Sequence, residues 1–248
     1  IIIDGGSTDG TLDTIKKYEQ KITYWVSEPD NGIYDAMNKG IKKAVGDIIG
    51  IINSDDWYDI DTVKKVVDCF GKLDVDIVHG DALWIDSDGV EYRRQYPEKN
   101  PERILKSNIF NHPTVFIRKN MYKQYGVFDV KYKILADYKL LLNLYINNSK
   151  FYYIPEILVY FRADGISNTK VWRSSREHRH VLLDFNLGDE KVLMNLRKRN
   201  IRIFFKRRYK DFISKYIRGN LSKPIVIWGT GDDGVEIIKE LKGLDLEI

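Results

Sequence analysis

The feature that most constrains this chain is a rhythm in its first eighty residues, where short apolar runs alternate with helix-like periodic segments and polar clusters fill the junctions. Ile1 to Ile3 precedes a helix from about Thr11, and Ile22 to Val26 precedes a helix from about Ile33 to Ala44. Asp47 to Ile52 precedes a third helix, from about Ile60 to Phe70, and Val75 to Val78 follows it. Repeats of strand, helix, strand predict an α/β fold whose mixed, mainly parallel sheet is flanked by helices on both faces. Ligands of such sheets lie beyond the carboxyl ends of the strands, so the residues just after each apolar run are the candidates for chemistry.

Further on the pattern changes. Leu83-Trp84-Ile85, a turn at Asp86-Ser87-Asp88-Gly89, and Val90 to Arg94 read as a hairpin with an Asp-Gly turn, which makes the sheet mixed. A strand over Thr114 to Ile117, a helix over Leu135 to Asn147, and extended segments at Phe151 to Ile154 and Leu158 to Phe161 complete a domain over residues 1–170. Residues 171–222 read as a helical, basic extension and linker, and 223–248 as the incomplete start of another domain. With 248 residues, 43% hydrophobic and 31% charged, the chain can bury a full core, and disorder is not its default state.

The net charge of +4 is small, so charge matters only where it clusters. It clusters in Leu196 to Arg218, which holds ten lysines and arginines against one acidic residue, Asp211. Phe205, Tyr209, Phe212 and Tyr216 recur there at helical spacing. Such a helix packs on its own domain with a solvated basic face, or it lies on an anionic membrane surface. No nucleic-acid recognition motif accompanies the charge. The single cysteine, Cys69, excludes an internal disulfide framework and reads as a helix-core residue. No run of eighteen apolar residues exists, and the expected location is cytoplasmic, with peripheral contact at the inner face of the plasma membrane as an extension of that reading. Ile1-Ile2-Ile3 reads as a buried strand already under way, which implies that the natural protein begins earlier.

Three polar clusters stand where ligands are expected. Asp4-Gly5-Gly6-Ser7-Thr8-Asp9-Gly10-Thr11 joins a strand to a helix; its glycines permit close ligand approach, and the same run is also a good helix-capping turn. Ser27-Glu28-Pro29-Asp30-Asn31-Gly32 is a turn that runs into a helix carrying Asp35, Asn38 and Lys39 within one turn, and ordinary capping is the alternative. Asn53-Ser54-Asp55-Asp56-Trp57 puts two carboxylates after a strand, a hard-oxygen site suited to Mg2+ or Mn2+ or else a helix cap. Aromatic Trp57 and Tyr34 near these ends read as core.

Taken jointly, and with Asn111-His112-Pro113, Tyr125-Gly126-Val127-Phe128-Asp129, Leu135-Ala136-Asp137-Tyr138 and Arg162 to Ser167, these segments resemble the inverting family 2 glycosyltransferases. The likeness is to bacterial members that build polysaccharides and cell envelopes, and it extends over about 165 residues in the family's order and spacing. It implies a GT-A nucleotide-diphospho-sugar transferase fold lacking its first strand and helix. It implies that Asp4 contacts the nucleotide base, that Asp35, Asn38 and Lys39 line the donor site, and that Asp137 is the general base. Asp55 would hold the metal on the donor diphosphate, with Asp56 in support, because an aspartate often stands in the family where this chain has Asn53. Arg162 would meet the diphosphate, and His112 is a candidate for the acceptor site. The implied reaction is metal-assisted transfer of a hexose-type sugar from a nucleoside diphosphate donor, UDP-sugar first, to a glycan or lipid-linked acceptor with inversion.

Two other functions stay open on the sequence. One is a nucleotide-sugar-binding module without turnover. The other is a dinucleotide-dependent oxidoreductase, because Ile225 to Trp228 followed by Gly229-Thr230-Gly231-Asp232-Asp233-Gly234 resembles the opening of a Rossmann domain. Only fourteen residues follow Gly234, too few for the second strand and acidic residue that such a site requires.

Overall fold

The apolar runs become strands that stop where polar side chains begin. In the computed structural model, which describes residues 1–85, 91–95, 97, 101–162 and 171–188, β1 (Ile2–Asp4) and β2 (Trp25–Ser27) pair in parallel, Asp4 opposite Ser27. Between them lie α1 (Thr11–Lys17) and a 3-10 turn at Glu19–Lys21. That turn delays β2 beyond the expected start at Ile22; Trp25 Nε1 donates to Glu19 Oε1 at 3.0 Å across it. Then come α2 (Ile33–Lys43), β3 (Ile48–Gly50), β4 (Trp57–Tyr58) and α3 (Thr62–Lys72). The run expected at Val75 to Val78 and the first hairpin strand at Leu83 to Ile85 are one strand, β5 (Ile77–Ile85), which pairs antiparallel with β6 (Glu91–Gln95) as the hairpin requires. They are followed by β7 (Phe116–Arg118), α4 (Lys119–Tyr125), α5 (Ala136–Ile146) and β8 (Phe151–Arg162).

The strands other than β1 and β2 form one six-stranded sheet in the order β3-β7-β5-β8-β4, with β6 pairing the far half of β5. The sheet is mixed as expected, but the balance differs: β1–β2 and β5–β8 are parallel, and the other four described ladders are antiparallel. Strands that return by hairpin or loop, rather than by a helix crossing the sheet, meet their neighbours antiparallel.

β5 is buried along most of its length, as a strand covered on both faces must be. On one face Val66 and Phe70 of α3 pack with Val78, Phe116, Ile154, Leu158 and Val159. Each such side chain contributes roughly 1.5–3 kcal/mol by leaving water. α5 is buried almost all round, with Ala136, Tyr138, Leu140, Leu141, Leu142 and Leu144 inside, so it runs through the core rather than over it.

The two extended segments expected at Phe151 to Ile154 and Leu158 to Phe161 are one strand. Pro155 has no N–H for the ladder, and the register steps over it: Gly80 pairs Ile154 and Asp81 pairs Ile157. β7 begins at Phe116, because His112–Thr114 is a 3-10 turn around Pro113.

By its contacts the chain divides into two units, residues 1–165 and 166–248. In the second, residues 171–188 are described and hold the helix α6 (Val171–Asp184), with an ion pair of 3.4 Å between Arg173 and Glu177. The hairpin turn at Asp86 to Gly89, most of the Arg162 to Ser167 segment, the basic aromatic stretch, the linker and the Gly-rich tail lie outside the described residues.

Candidate active site

Asp4 ends β1 and is 7% exposed. Gly6, at φ +89°, turns the chain so that the Gly6 and Ser7 N–H groups both donate to Asp4 Oδ2, at 3.1 and 3.0 Å. The hydroxyls of Ser7 and Ser27 donate to the same carboxylate at 2.5 and 2.6 Å. These donors, Ser27 foremost and then Ser7, hold the Asp4 carboxyl down at about 2. The residue expected to meet a base therefore stitches its own turn to the end of β2.

β2 runs into the turn that starts α2, and that helix shows two polar stripes at four-residue spacing. On one, Lys39 Nζ reaches Glu28 Oε1 at 2.8 Å, the Pro29 carbonyl at 3.2 Å and Asp35 Oδ2 at 3.7 Å. The Asp35 carboxylate accepts the Asn31 N–H at 3.0 Å. Glu28 is the main reason that the Lys39 ammonium titrates above its ordinary value. On the other stripe, Asn38 is a clamp: its Nδ2 donates to the Phe128 carbonyl at 2.8 Å, and its Oδ1 accepts the Phe128 N–H at 3.0 Å. The Asn38 amide expected to line a donor site thus faces the backbone of a segment ninety residues away.

The same segment carries Asp137. Asp137 sits in the first turn of α5, 8% exposed, where the positive end of the helix dipole favours a carboxylate. Its Oδ1 is 2.9 Å from the Tyr34 hydroxyl of α2, and its Oδ2 is 3.4 Å from Asn108 Nδ2. The Tyr34 ring packs on Phe128 with centroids 5.3 Å apart. His112 meets the other side of Phe128, edge-on at 5.4 Å. Burial pushes the His112 imidazole below its ordinary value while the charge of Asp137 acts in the opposite sense.

The Asn53–Asp56 turn follows β3. Antiparallel pairing of Gly50 with Phe116 brings the carboxyl end of β3 to the amino end of β7, the end from which His112 leads. Gly50 is required there, because a Cβ would run into the Phe116 ring. The two carboxylates of the turn differ. Asp56 is buried; its oxygens accept the Arg162 N–H at 3.0 Å and the Asn53 amide at 3.1 Å, and burial raises its pKa above the ordinary carboxylate value. Asp55 is exposed, and its carboxylate has no hydrogen-bond partner among the described residues. Arg162, exposed at the end of β8, is tied to this turn through its backbone.

No group of three His, Cys, Asp or Glu side chains among the described residues could cage a cation. A hard cation that keeps waters and takes substrate phosphates needs only one or two carboxylates, and an exposed Asp55 with no other engagement fits that demand. Asp56, already holding the turn, fits it less well.

The sequence leads to the expectation that Asp4, Asp55 and Asp137 converge on one cleft; among the described contacts, the β3–β7 pairing brings the turn after β3 to the strand that follows His112, and Asp137 is met by Tyr34 and Asn108. Sequence reasoning missed Tyr34, Asn108 and Phe128. The periodicity of α2 marks Tyr34 as core, which it is at 7% exposure, yet gives no sign that its hydroxyl meets a carboxylate 103 residues on.

A mixed α/β sheet with a polar turn after each early strand, and a buried aspartate opening a core helix, is the architecture of the GT-A fold. Staphylococcus aureus TarS residues 1–349, crystallised with UDP-GlcNAc, superposes with a TM-score of 0.62 at 16% identity, covering 98% of this chain and 70% of that one. The mannosyltransferase PcManGT of Pyrobaculum calidifontis, crystallised with GDP-Man and Mn2+, gives 0.56 at 14% identity, covering 99% of this chain and 70% of that one. The profile of the family described as "Glycosyl transferase family 2" matches residues 1–130. The chain belongs to that family, and it is a glycosyltransferase. A PGL/p-HBAD biosynthesis glycosyltransferase of Mycobacterium tuberculosis is 28% identical over 180 residues, 69% of this chain and 68% of the relative. The poly(ribitol-phosphate) beta-N-acetylglucosaminyltransferase TarS of Staphylococcus aureus is 26% identical over 172 residues, 65% of this chain and 29% of the relative.

Proposed function

We propose that this chain transfers a sugar from a nucleoside diphosphate donor, a UDP-sugar in the first instance, to a hydroxyl of a glycan or lipid-linked acceptor in cell-envelope assembly, with inversion. The observation that carries the reading is Asp137: a buried carboxylate at a helix start, with one close hydrogen bond and one long one, within electrostatic reach of the His112 ring. The lone pairs that remain can accept a proton. Structural neighbours hold UDP-GlcNAc or GDP-Man, which supports a sugar nucleotide as donor. The poly(ribitol-phosphate) named for one relative supports a polymer hydroxyl as acceptor.

In the proposed step Asp137 takes the proton of the acceptor hydroxyl as that oxygen attacks the anomeric carbon. The bond from carbon to the diphosphate oxygen breaks on the opposite side, and the configuration inverts. Base assistance of this kind is worth roughly 10²–10⁴-fold. Asp55 would hold a divalent cation, Mg2+ or Mn2+, which neutralises charge gathering on the leaving diphosphate. Arg162 supplies a second positive charge on the same side, and a guanidinium pairs well with phosphate oxygens. Asp56 keeps the turn in shape. Asp35 and Lys39 hold the turn before α2 against the donor, and Asp4 orders the turn after β1.

The test is a panel of UDP-GlcNAc, UDP-glucose, UDP-galactose and GDP-mannose incubated with the full-length protein and Mn2+, Mg2+ or EDTA, read as free nucleoside diphosphate. Release from one donor class, lost with EDTA, is expected. Donor binding with no release under any condition would overturn turnover in favour of a binding module.

A further inference from the structure

The Tyr34 hydroxyl has one proton and at least two acceptor oxygens within reach. It lies 2.6 Å from the Ile134 carbonyl oxygen and 2.9 Å from Asp137 Oδ1. An ionised Asp137 can receive the phenol's proton in a hydrogen bond. A protonated Asp137 keeps that partner in either form: with its proton on Oδ2, Oδ1 still accepts from the phenol, and with the proton on Oδ1 the phenol oxygen is within reach to accept. In the second form the phenol's proton turns about the C–O bond toward the Ile134 carbonyl. No covalent O–H bond of Tyr34 breaks, and neither side chain has to move.

We propose that Tyr34 is a positioning residue that gives the general base a hydrogen-bond partner both before and after it takes the acceptor's proton. The inference rests on the reading of Asp137 as the base and extends it to a residue of the donor-side helix. Three further contacts keep the arrangement rigid. The Tyr34 ring packs on Phe128, whose backbone is held at both ends by Asn38. Lys133 Nζ donates to the Asn31 carbonyl at 2.6 Å, tying the loop before α5 to the turn before α2. Tyr34 and Asn38 form one stripe of α2, and Asp35 and Lys39 form the next, so a single helix touches the base segment and braces the donor-side turn. A base displaced by about 1 Å can lose on the order of 100-fold in rate.

The test is a double-mutant cycle in the full-length protein with Tyr34→Phe, Asp137→Asn and both together. The readout is UDP or GDP release from UDP-GlcNAc or GDP-mannose, whichever is turned over, with the melting temperature measured alongside. Tyr34→Phe removes one oxygen and keeps the ring. It is expected to lower kcat by at least about tenfold with donor KM changed by less than about twofold. In the Asp137→Asn background the same change is expected to lower kcat no further, because the proposed effect on rate runs through that carboxylate.

A Tyr34→Phe enzyme with normal kcat, beside an inactive Asp137→Asn enzyme, overturns the inference and leaves the base reading standing. Equal losses from Tyr34→Phe in both backgrounds overturn it too, since they mark a structural role independent of Asp137. Full turnover by Asp137→Asn removes the base reading and this inference together. Should Tyr34→Phe fail to fold, 3-fluorotyrosine at position 34 keeps the shape while making the hydroxyl a better donor and a poorer acceptor. It must then change kcat by more than about twofold at constant KM, and an unchanged kcat overturns the inference.

Discussion

Asp4 and Asp137 are two aspartates of nearly equal burial, 7% and 8% exposed, and the fold treats them in opposite ways. Asp4 accepts four hydrogen bonds from Gly6, Ser7 and Ser27, all within 3.1 Å. Asp137 accepts one at 2.9 Å and a second at 3.4 Å. A carboxylate ringed by donors is locked in its charged form and becomes an anchor. Among the described contacts, one with a single close donor keeps lone pairs for a further partner. Burial alone therefore does not distinguish the two carboxylates; the number and closeness of donors does.

The largest effect belongs to Asp137. Asp137→Asn is expected to lower kcat for sugar transfer by about 10²–10⁴-fold while the melting temperature moves little. Near-normal turnover in that variant would put Asp137 in the same class as Asp4 and dissolve the contrast.

Next comes the Asn53 turn, where the same contrast recurs between neighbours. Asp55→Ala should raise the Mn2+ concentration for half-maximal turnover by about tenfold or more, whereas Asp56→Asn should chiefly lower stability. A Mn2+ titration of both variants decides it, and equal shifts would make Asp56 a ligand after all.

Asp4→Asn is expected to cost about 2 kcal/mol of stability, by analogy with lost charge-assisted hydrogen bonds, and to leave turnover measurable at low temperature. The pH dependence has a definite sign. The folded carboxyl, held at about 2, lies below the unfolded value, so its stabilisation is full above about pH 4 and disappears as pH falls toward the folded value. Acid unfolding followed by circular dichroism should show the wild type and Asp4→Asn converging at low pH. Parallel curves would mean that the Asp4 network adds nothing in the folded state.

The smallest effect is expected at the surface pair of Lys65 with Glu156, 2.6 Å apart with more than half of Glu156 in water. Glu156→Ala should cost less than about 1 kcal/mol in urea unfolding. A larger loss would show that partners in water count as much as buried ones.

Much of the fold was legible because each early apolar run ends in its own polar cluster. The strand before Asp4, the helix from Ile33, the turn at Asn53 and the hairpin after Ile77 all follow from local chemistry. β8 was not legible as one strand, since Pro155 reads as a break until the register is seen to step over it. Nor was the balance of parallel and antiparallel pairs, which depends on where β7 and β4 insert beside strands far away in the chain.

By itself the sequence determined which residue types could do chemistry here and at which strand ends they stand, because hydrophobic period and turn composition are local properties. The tertiary structure decided which of those residues are already engaged. Asp4, Asn38 and Asp56 hold backbone, Asp55 has no hydrogen-bond partner among the described residues, and Tyr34 meets Asp137 across 103 residues. A hydrogen bond forms between groups that folding brings within about 3 Å, and no local pattern carries that distance.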